Sequence, residues 1–227
     1  EYAYQLKKRG TEMRRDMEFD VVNTYNKQTT SGARQTGGYQ AFVNSGDTCV
    51  FKGAFTATST PNVGTSVITV ASGAAKAALA LTDIDSVMQK IYENGGSATR
   101  IMVSPKLRRD FSDLMVSDTG VRRNIDEDGK LRQSVDVYMS DFGDLMVVPN
   151  YIMGLAHTTT DATTTQFDAA DSAALIYDPQ WFAMATLRPM QEVEVGQKGD
   201  STVGMFVEEW SFEVKNPKGC GAVYGLT

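Results

Sequence analysis

The chain has 227 residues, 41% hydrophobic and 22% charged, enough for a substantial core in one large or two small domains. Lys and Arg total 22 against 28 Asp and Glu, a formal charge of −6. This balance argues against holding duplex DNA by phosphate neutralisation. No stretch reaches the run of about eighteen uncharged apolar residues that a membrane helix needs, so no membrane partner is expected.

Glu1 to Lys27 reads as one helix. Tyr2, Leu6, Gly10, Met13, Met17, Val21 and Tyr25 recur every three or four residues as a single narrow apolar stripe. Around it, Glu1, Glu12, Asp16, Glu18 and Asp20 balance Lys7, Lys8, Arg9, Arg14 and Arg15. Such a stripe buries one side and leaves the rest for water or other chains. Glu1 is preceded by no Met and no capping residue, so an upstream segment is expected.

Residues 29 to 80 turn rich in Gly, Thr, Ser and Ala, with short strands expected at Thr48 to Thr56 and Ser66 to Val70. LTDIDSVMQKIYENGG follows as a helix. Thr82 is its expected N-cap with Asp85 three residues on, its apolar face is Ile84, Val87, Met88, Ile91 and Tyr92, and Asn94-Gly95-Gly96 is its stop. TRIMV (99–103) reads as a buried strand, and Ser104-Pro105 starts a third helix through Leu107, Phe111 and Leu114. SVDVYMSDFGDLMVVPN predicts a hairpin turning at Asp141 to Asp144. AALIYDPQWFAMATL predicts two strands around Asp178-Pro179. MQEVEVG and the alternating STVGMFVEEWSFEVKN follow, then a turn at Asn216 to Gly219 and a last strand, CGAVYGL. Strands and helices are segregated in part, which is an α+β order.

Several strings resemble catalytic motifs, and each lacks what its chemistry requires. SDFG (140–143) has no Gly-rich phosphate loop or strand lysine upstream and reads as a hairpin turn. Gly32-x-x-x-x-Gly37 is followed by Gly38-Tyr39, where a phosphate loop needs Lys and Ser or Thr. NIDEDG (124–129) opens like a calcium loop, but its twelfth position is Val135 instead of a bidentate Glu. His157, the single histidine, sits among threonines with no nucleophile motif in the chain. Cys49 and Cys220 are too few for a metal framework and suit a reducing compartment. No catalytic residue, cofactor or metal site is expected.

EYAYQLKKRGTEMRRDME, ARQTGGYQAFV and LTDIDSVMQKIYENGG stand in an order that resembles the tailed-bacteriophage major capsid proteins. TRIMVSPKLRRDFSDL, VDVYMSDFGDLMVVPN, LIYDPQWFAMATLRPM and KGDSTVGMFVEEWSFEVKNPKGCG continue it, so that it covers residues 1–44 and 81–224. The resemblance implies the Hong Kong 97 phage-type capsid fold, an α+β architecture. Its peripheral domain carries a long spine helix and long antiparallel strands, and its axial domain is mixed α/β. On this reading residues 1–45 and 186–216 form the peripheral domain, and 81–185 with 217–227 the axial domain. Residues 46–80 are a β-rich insertion or connection, longer than the family's usual one. The family's N-terminal arm and extended loop precede the spine helix and are absent from this sequence. Without them the piece is expected to form only monomers or small oligomers.

The implied function is a shell subunit of the virion, assembled in the bacterial host cytoplasm. Its partners are copies of itself in hexamers and pentamers, with portal, scaffold and cement proteins, around DNA enclosed without specific binding. Lys7, Arg9, Arg14, Arg15, Asp16, Glu18 and Arg188 are the implied subunit contacts. Two other readings are an encapsulin-like nanocompartment shell and a monomeric binding or adhesin module.

Overall fold

The computed structural model describes residues 2–23, 36–53, 55–56, 69–70, 76–118, 136–154, 172–195, 199 and 203–227. Its helices are α1 (Tyr2–Asn23), the single turn α2 (Tyr39–Phe42), α3 (Leu81–Glu93) and α4 (Pro105–Asp118). Its strands are β1 (Cys49–Phe51), β2 (Phe55–Thr56), β3 (Thr69–Val70), β4 (Arg100–Val103), β5 (Val137–Ser140), β6 (Gly143–Pro149), β7 (Ala173–Tyr177), β8 (Phe182–Val195), β9 (Val203–Val214) and β10 (Gly221–Tyr224).

Six strands form one mixed sheet in the order β1-β10-β7-β4-β6-β5. β1 runs parallel to β10 and β4 parallel to β6, while the other neighbours are antiparallel. The uninterrupted apolar run AALIY is β7, at the middle of this sheet, and both its faces are covered. Ala174 and Ile176 pack with Ile84, Val87 and Ile91 of α3 and with Leu107 and Phe111 of α4. Ala173 and Leu175 look the other way, into a second cluster with Val22, Tyr39, Val43, Met153, Ala222 and Tyr224. Period-two alternation along each strand is what divides one sheet between two cores.

The apolar face of α3 is the expected one at Ile84, Val87, Met88 and Ile91, all buried. Two details differ. Tyr92 is 63% exposed, resting at the helix surface against the Phe142 ring at 5.7 Å. The N-cap is Ala80 instead of Thr82, and the residue that reaches back is Asp83 instead of Asp85. The Asp83 carboxylate accepts from the Ala80 N–H at 2.9 Å and pairs with Lys52 Nζ at 2.6 Å, so one acid serves an orphan donor, the helix dipole and a cation together. Asp85 is used elsewhere, accepting the Tyr138 hydroxyl at 2.7 Å. The helix stops as expected. Gly95 adopts φ +76°, its N–H donates to Tyr92 O, and the Gly96 N–H donates to Ile91 O, which is a Schellman closure.

Three further local signals fold as expected. The Leu107 N–H donates to Ser104 Oγ at 3.3 Å as α4 begins. SDFG is the hairpin turn between β5 and β6, with Ser140 Oγ accepting from the Phe142 N–H at 3.2 Å and donating to Gly143 O at 3.0 Å. Asn216 Oδ1 accepts from the Lys218 N–H at 3.1 Å and starts the 3-10 turn before β10. The stretch expected as one strand at Thr48 to Thr56 is two, parted by Gly53 at φ +65°. β1 joins the main sheet, while β2 pairs with β3. The turn α2 was carried by no periodicity, since its four residues are too few to show one.

β8 and β9 form a separate two-stranded ribbon of 14 and 12 residues. An isolated ribbon of two strands is marginal by itself. Its base is held against the main sheet by aromatic contacts. Phe182 stacks on Phe212 at 5.4 Å and meets Tyr39 at 5.4 Å and Tyr177 at 6.0 Å. On the β9 edge, Thr36 Oγ1 accepts from the Phe212 N–H at 3.1 Å.

Candidate functional site

The narrow-striped helix α1 and the two-stranded ribbon make one surface together. α1 covers 22 residues, about 33 Å at the α-helical rise. Its stripe residues Leu6, Gly10, Met13, Met17 and Val21 are only half-buried, because they face a ribbon two strands wide. Tyr2 donates to the Glu192 carboxylate of β8 and lies over Gly204 of β9, where a side chain would collide with the tyrosine hydroxyl. A Cβ at Gly10 would meet the Met190 methyl at 3.8 Å, an ordinary contact, so helix and ribbon touch there without the position requiring glycine. At the other end Val22, one residue off the stripe, is buried at 4% exposure. Its carbonyl accepts from Gln40 Nε2 at 3.2 Å, which ties α1 to α2.

Between α1 and β8 the packing leaves an open groove of about 510 Å³. Met17, Val21, Met184 and Met190 line it, with Arg14, Glu18 and Glu208. The expected contact residues fall around this surface. Lys7, Arg9, Arg14, Arg15, Asp16, Glu18 and Arg188 are all exposed. Several already have partners within the chain. Arg9 pairs with Glu12 at 2.7 Å, Glu18 accepts from Asn150 Nδ2 at 2.8 Å, and Arg188 grips Glu209 through two contacts at 2.8 and 3.0 Å. Exposed pairs of this kind contribute about 0–1 kcal/mol each.

The groups that titrate abnormally lie in the core instead. Cys49 and Cys220 are buried free thiols, and burial pushes each pKa up to about 12. They stay protonated at neutral pH and are poor nucleophiles. Burial likewise raises Tyr39 well above its ordinary value, and its hydroxyl is held between the carbonyls of Ile176 and Gly221. Among the described residues no three His, Cys, Asp or Glu side chains gather as metal ligands. No described helix is long and apolar enough to cross a membrane. His157, NIDEDG and Gly32 lie outside the described residues.

The mixed sheet with its long helix and projecting ribbon is the Hong Kong 97 phage-type capsid fold. It superposes on the SrpI encapsulin of Synechococcus elongatus PCC 7942, in its holo complex, with TM-score 0.58 at 9% identity, covering 100% of this chain and 66% of that one. The chain thus spans just under two thirds of that relative's length. The capsid protein of cyanophage P-SCSP1u gives TM-score 0.45 at 11% identity, covering 98% of this chain and 64% of that one. A virus-like particle of Pyrococcus furiosus gives 0.34 at 14%, covering 66% and 54%. No curated protein matches the chain. The SU10 major capsid protein family model matches residues 1–227, and the chain belongs to that family. That family is one of major capsid proteins, structural components of the virion.

Proposed function

We propose that this chain is the major shell-forming subunit of a tailed double-stranded DNA phage, closing into an icosahedral capsid of hexamers and pentamers. The observation that carries this is the family match along all 227 residues, and the projecting α1–ribbon unit agrees with it. On this reading α1 is the spine helix of a peripheral domain made by residues 1–45 and 186–216. Residues 81–185 and 217–227 make the axial domain at capsomer centres, and 46–80 connect the two. The ribbon itself starts at Phe182, and β1 pairs with β10.

Lys7, Arg9, Arg14, Arg15 and Asp16 on α1, with Glu18 and Arg188, lie between neighbouring subunits. Each contact is weak, and repetition over every copy makes the sum large. The formal charge of −6 suits a container that encloses DNA without gripping it. Portal, scaffold and cement proteins complete the partner set. Electron microscopy of the purified full-length chain tests the proposal, with uniform closed particles expected. A monodisperse monomer under all assembly conditions would refute it. An enzyme cargo inside the particles, in place of a genome, would favour the encapsulin-like reading.

A further inference from the structure

β8 carries two irregularities within a few residues, between Thr186 and Arg188 and between Arg188 and Gln191. Leu187 is the extra residue of the first. Thr186 pairs with Trp210 and Arg188 with Glu209, so Leu187 has no residue opposite it. A bulge re-aims the side chain it carries. Leu187 is 80% exposed, more than any other large hydrophobic residue among the described ones. A single exposed leucine is ordinary; this one is a knob lifted on a bulge, with Arg188 next to it and Pro189 after that.

The same chain carries a socket of matching chemistry. The groove between α1 and β8 is lined by Val21 and by Met17, Met184 and Met190, three methionines flexible enough to close around an inserted aliphatic group. Glu18 and Glu208 stand at the groove with Arg14, an excess of one negative charge. Arg188, next to the knob, is a cation whose pair with Glu209 is exposed on both sides, at 56% and 41%, and is exchanged at little cost. Apolar knob and apolar socket match, and Arg188 beside the knob is the group that the extra acid at the groove attracts when it exchanges Glu209 for it.

Leu187 lies between Met184 and Met190 in sequence, yet those two line the groove while Leu187 is out in solvent. Leu187 therefore does not fill the groove of its own copy, and no other described residue occupies it. We infer that Leu187 of one copy inserts into the groove between α1 and β8 of the next. The inference rests on the self-assembly proposed above and names the contact that joins two copies. A knob and a socket at different places on one surface make a head-to-tail contact, which closes into rings when the rotation between copies permits.

Cysteine crosslinking tests this on the full-length chain. Cys49 and Cys220 are buried, so introduced thiols at the surface have no competitor among the described residues. Leu187→Cys with Met17→Cys, assembled and then mildly oxidised, is expected to give a ladder of disulfide-linked chains, and each single variant is not. Leu187→Asp is expected to lower particle yield by at least about tenfold, since one lost apolar anchor recurs at every contact. Its melting temperature should stay within about 2 °C, since the residue is a surface one. Particles from the double variant without a ladder overturn the contact and leave shell assembly standing. Absence of particles from the unsubstituted chain overturns the assembly reading, and the contact with it.

Discussion

Gly96 shows what one residue decides here. A Cβ at that position would stand 2.7 Å from the Gly219 Cα and 2.8 Å from Ile91 Cγ2, so the end of α3 and the turn before β10 touch backbone to backbone. Gly96→Ala forces one of them to move and is expected to destabilise the fold by about 1–3 kcal/mol, the usual cost of overpacking. Chemical denaturation measures it, and a change below about 0.5 kcal/mol, the range of neutral surface substitutions, contradicts the packing described.

The two thiols give a pH dependence. An unfolded cysteine ionises near about 8.5, whereas burial holds Cys49 and Cys220 at about 12. Below about pH 8.5 both states keep the proton and the thiols leave stability unaffected by pH. Above it only the unfolded chain releases protons, so stability is lost as pH rises from about 8.5 towards 12. Replacing both cysteines by alanine should flatten part of that decline. Identical alkaline profiles for the two proteins would show that the thiols ionise equally in both states. The same burial predicts that a thiol reagent at pH 8 labels neither cysteine until denaturant is added.

At the scale of elements, α1 and the ribbon depend on each other. The helix presents a stripe too narrow for a full core, and the ribbon has two strands and no third to pair with among the described residues. Arg14 and Arg15 are exposed on this unit, off the stripe, so they contribute little to holding it together. Reversing both to Glu is therefore expected to impair assembly strongly while changing the melting temperature by about 2 °C or less. Sedimentation and calorimetry on the same samples separate the two effects. Equal loss in both would place the arginines inside the subunit's own stability.

Over the whole molecule, the excess of six acids predicts how the chain meets DNA. Binding to duplex DNA should be weak and indifferent to sequence, with no retained complex on a gel at about 150 mM salt. Tight binding to a particular sequence would mean a local basic surface that the overall charge conceals.

Periodicity and caps were legible wherever one segment supplied its own evidence. The face of α3, its Schellman stop, the Ser104-Pro105 start, the hairpin turn expected at Asp141 to Asp144 and the alternation of β9 are all local. Their physical causes act within a few residues. The cap of α3 was misread by two positions because Asp83 and Asp85 offer the same sequence signal. Contacts distant in sequence separate them: Lys52, 31 residues away, pairs with Asp83, and the Tyr138 hydroxyl takes Asp85. Tyr92 was misplaced for a similar reason, since a position at the edge of a helical stripe is buried or exposed according to what lies beside it.

The family itself was legible, because its motifs keep their order along the chain. The groove was not. The pair Met17 and Val21 is far in sequence from Met184 and Met190, and the space among them exists only where α1 lies against β8. Leu187 reads as one more apolar residue of a strand until register shows it unpaired. The sequence by itself determined which segments are helix, strand and turn, since those depend on local hydrogen bonding and hydrophobic period. Tertiary structure decided which half-buried surface the other described segments leave uncovered, since that depends on contacts between residues far apart in sequence.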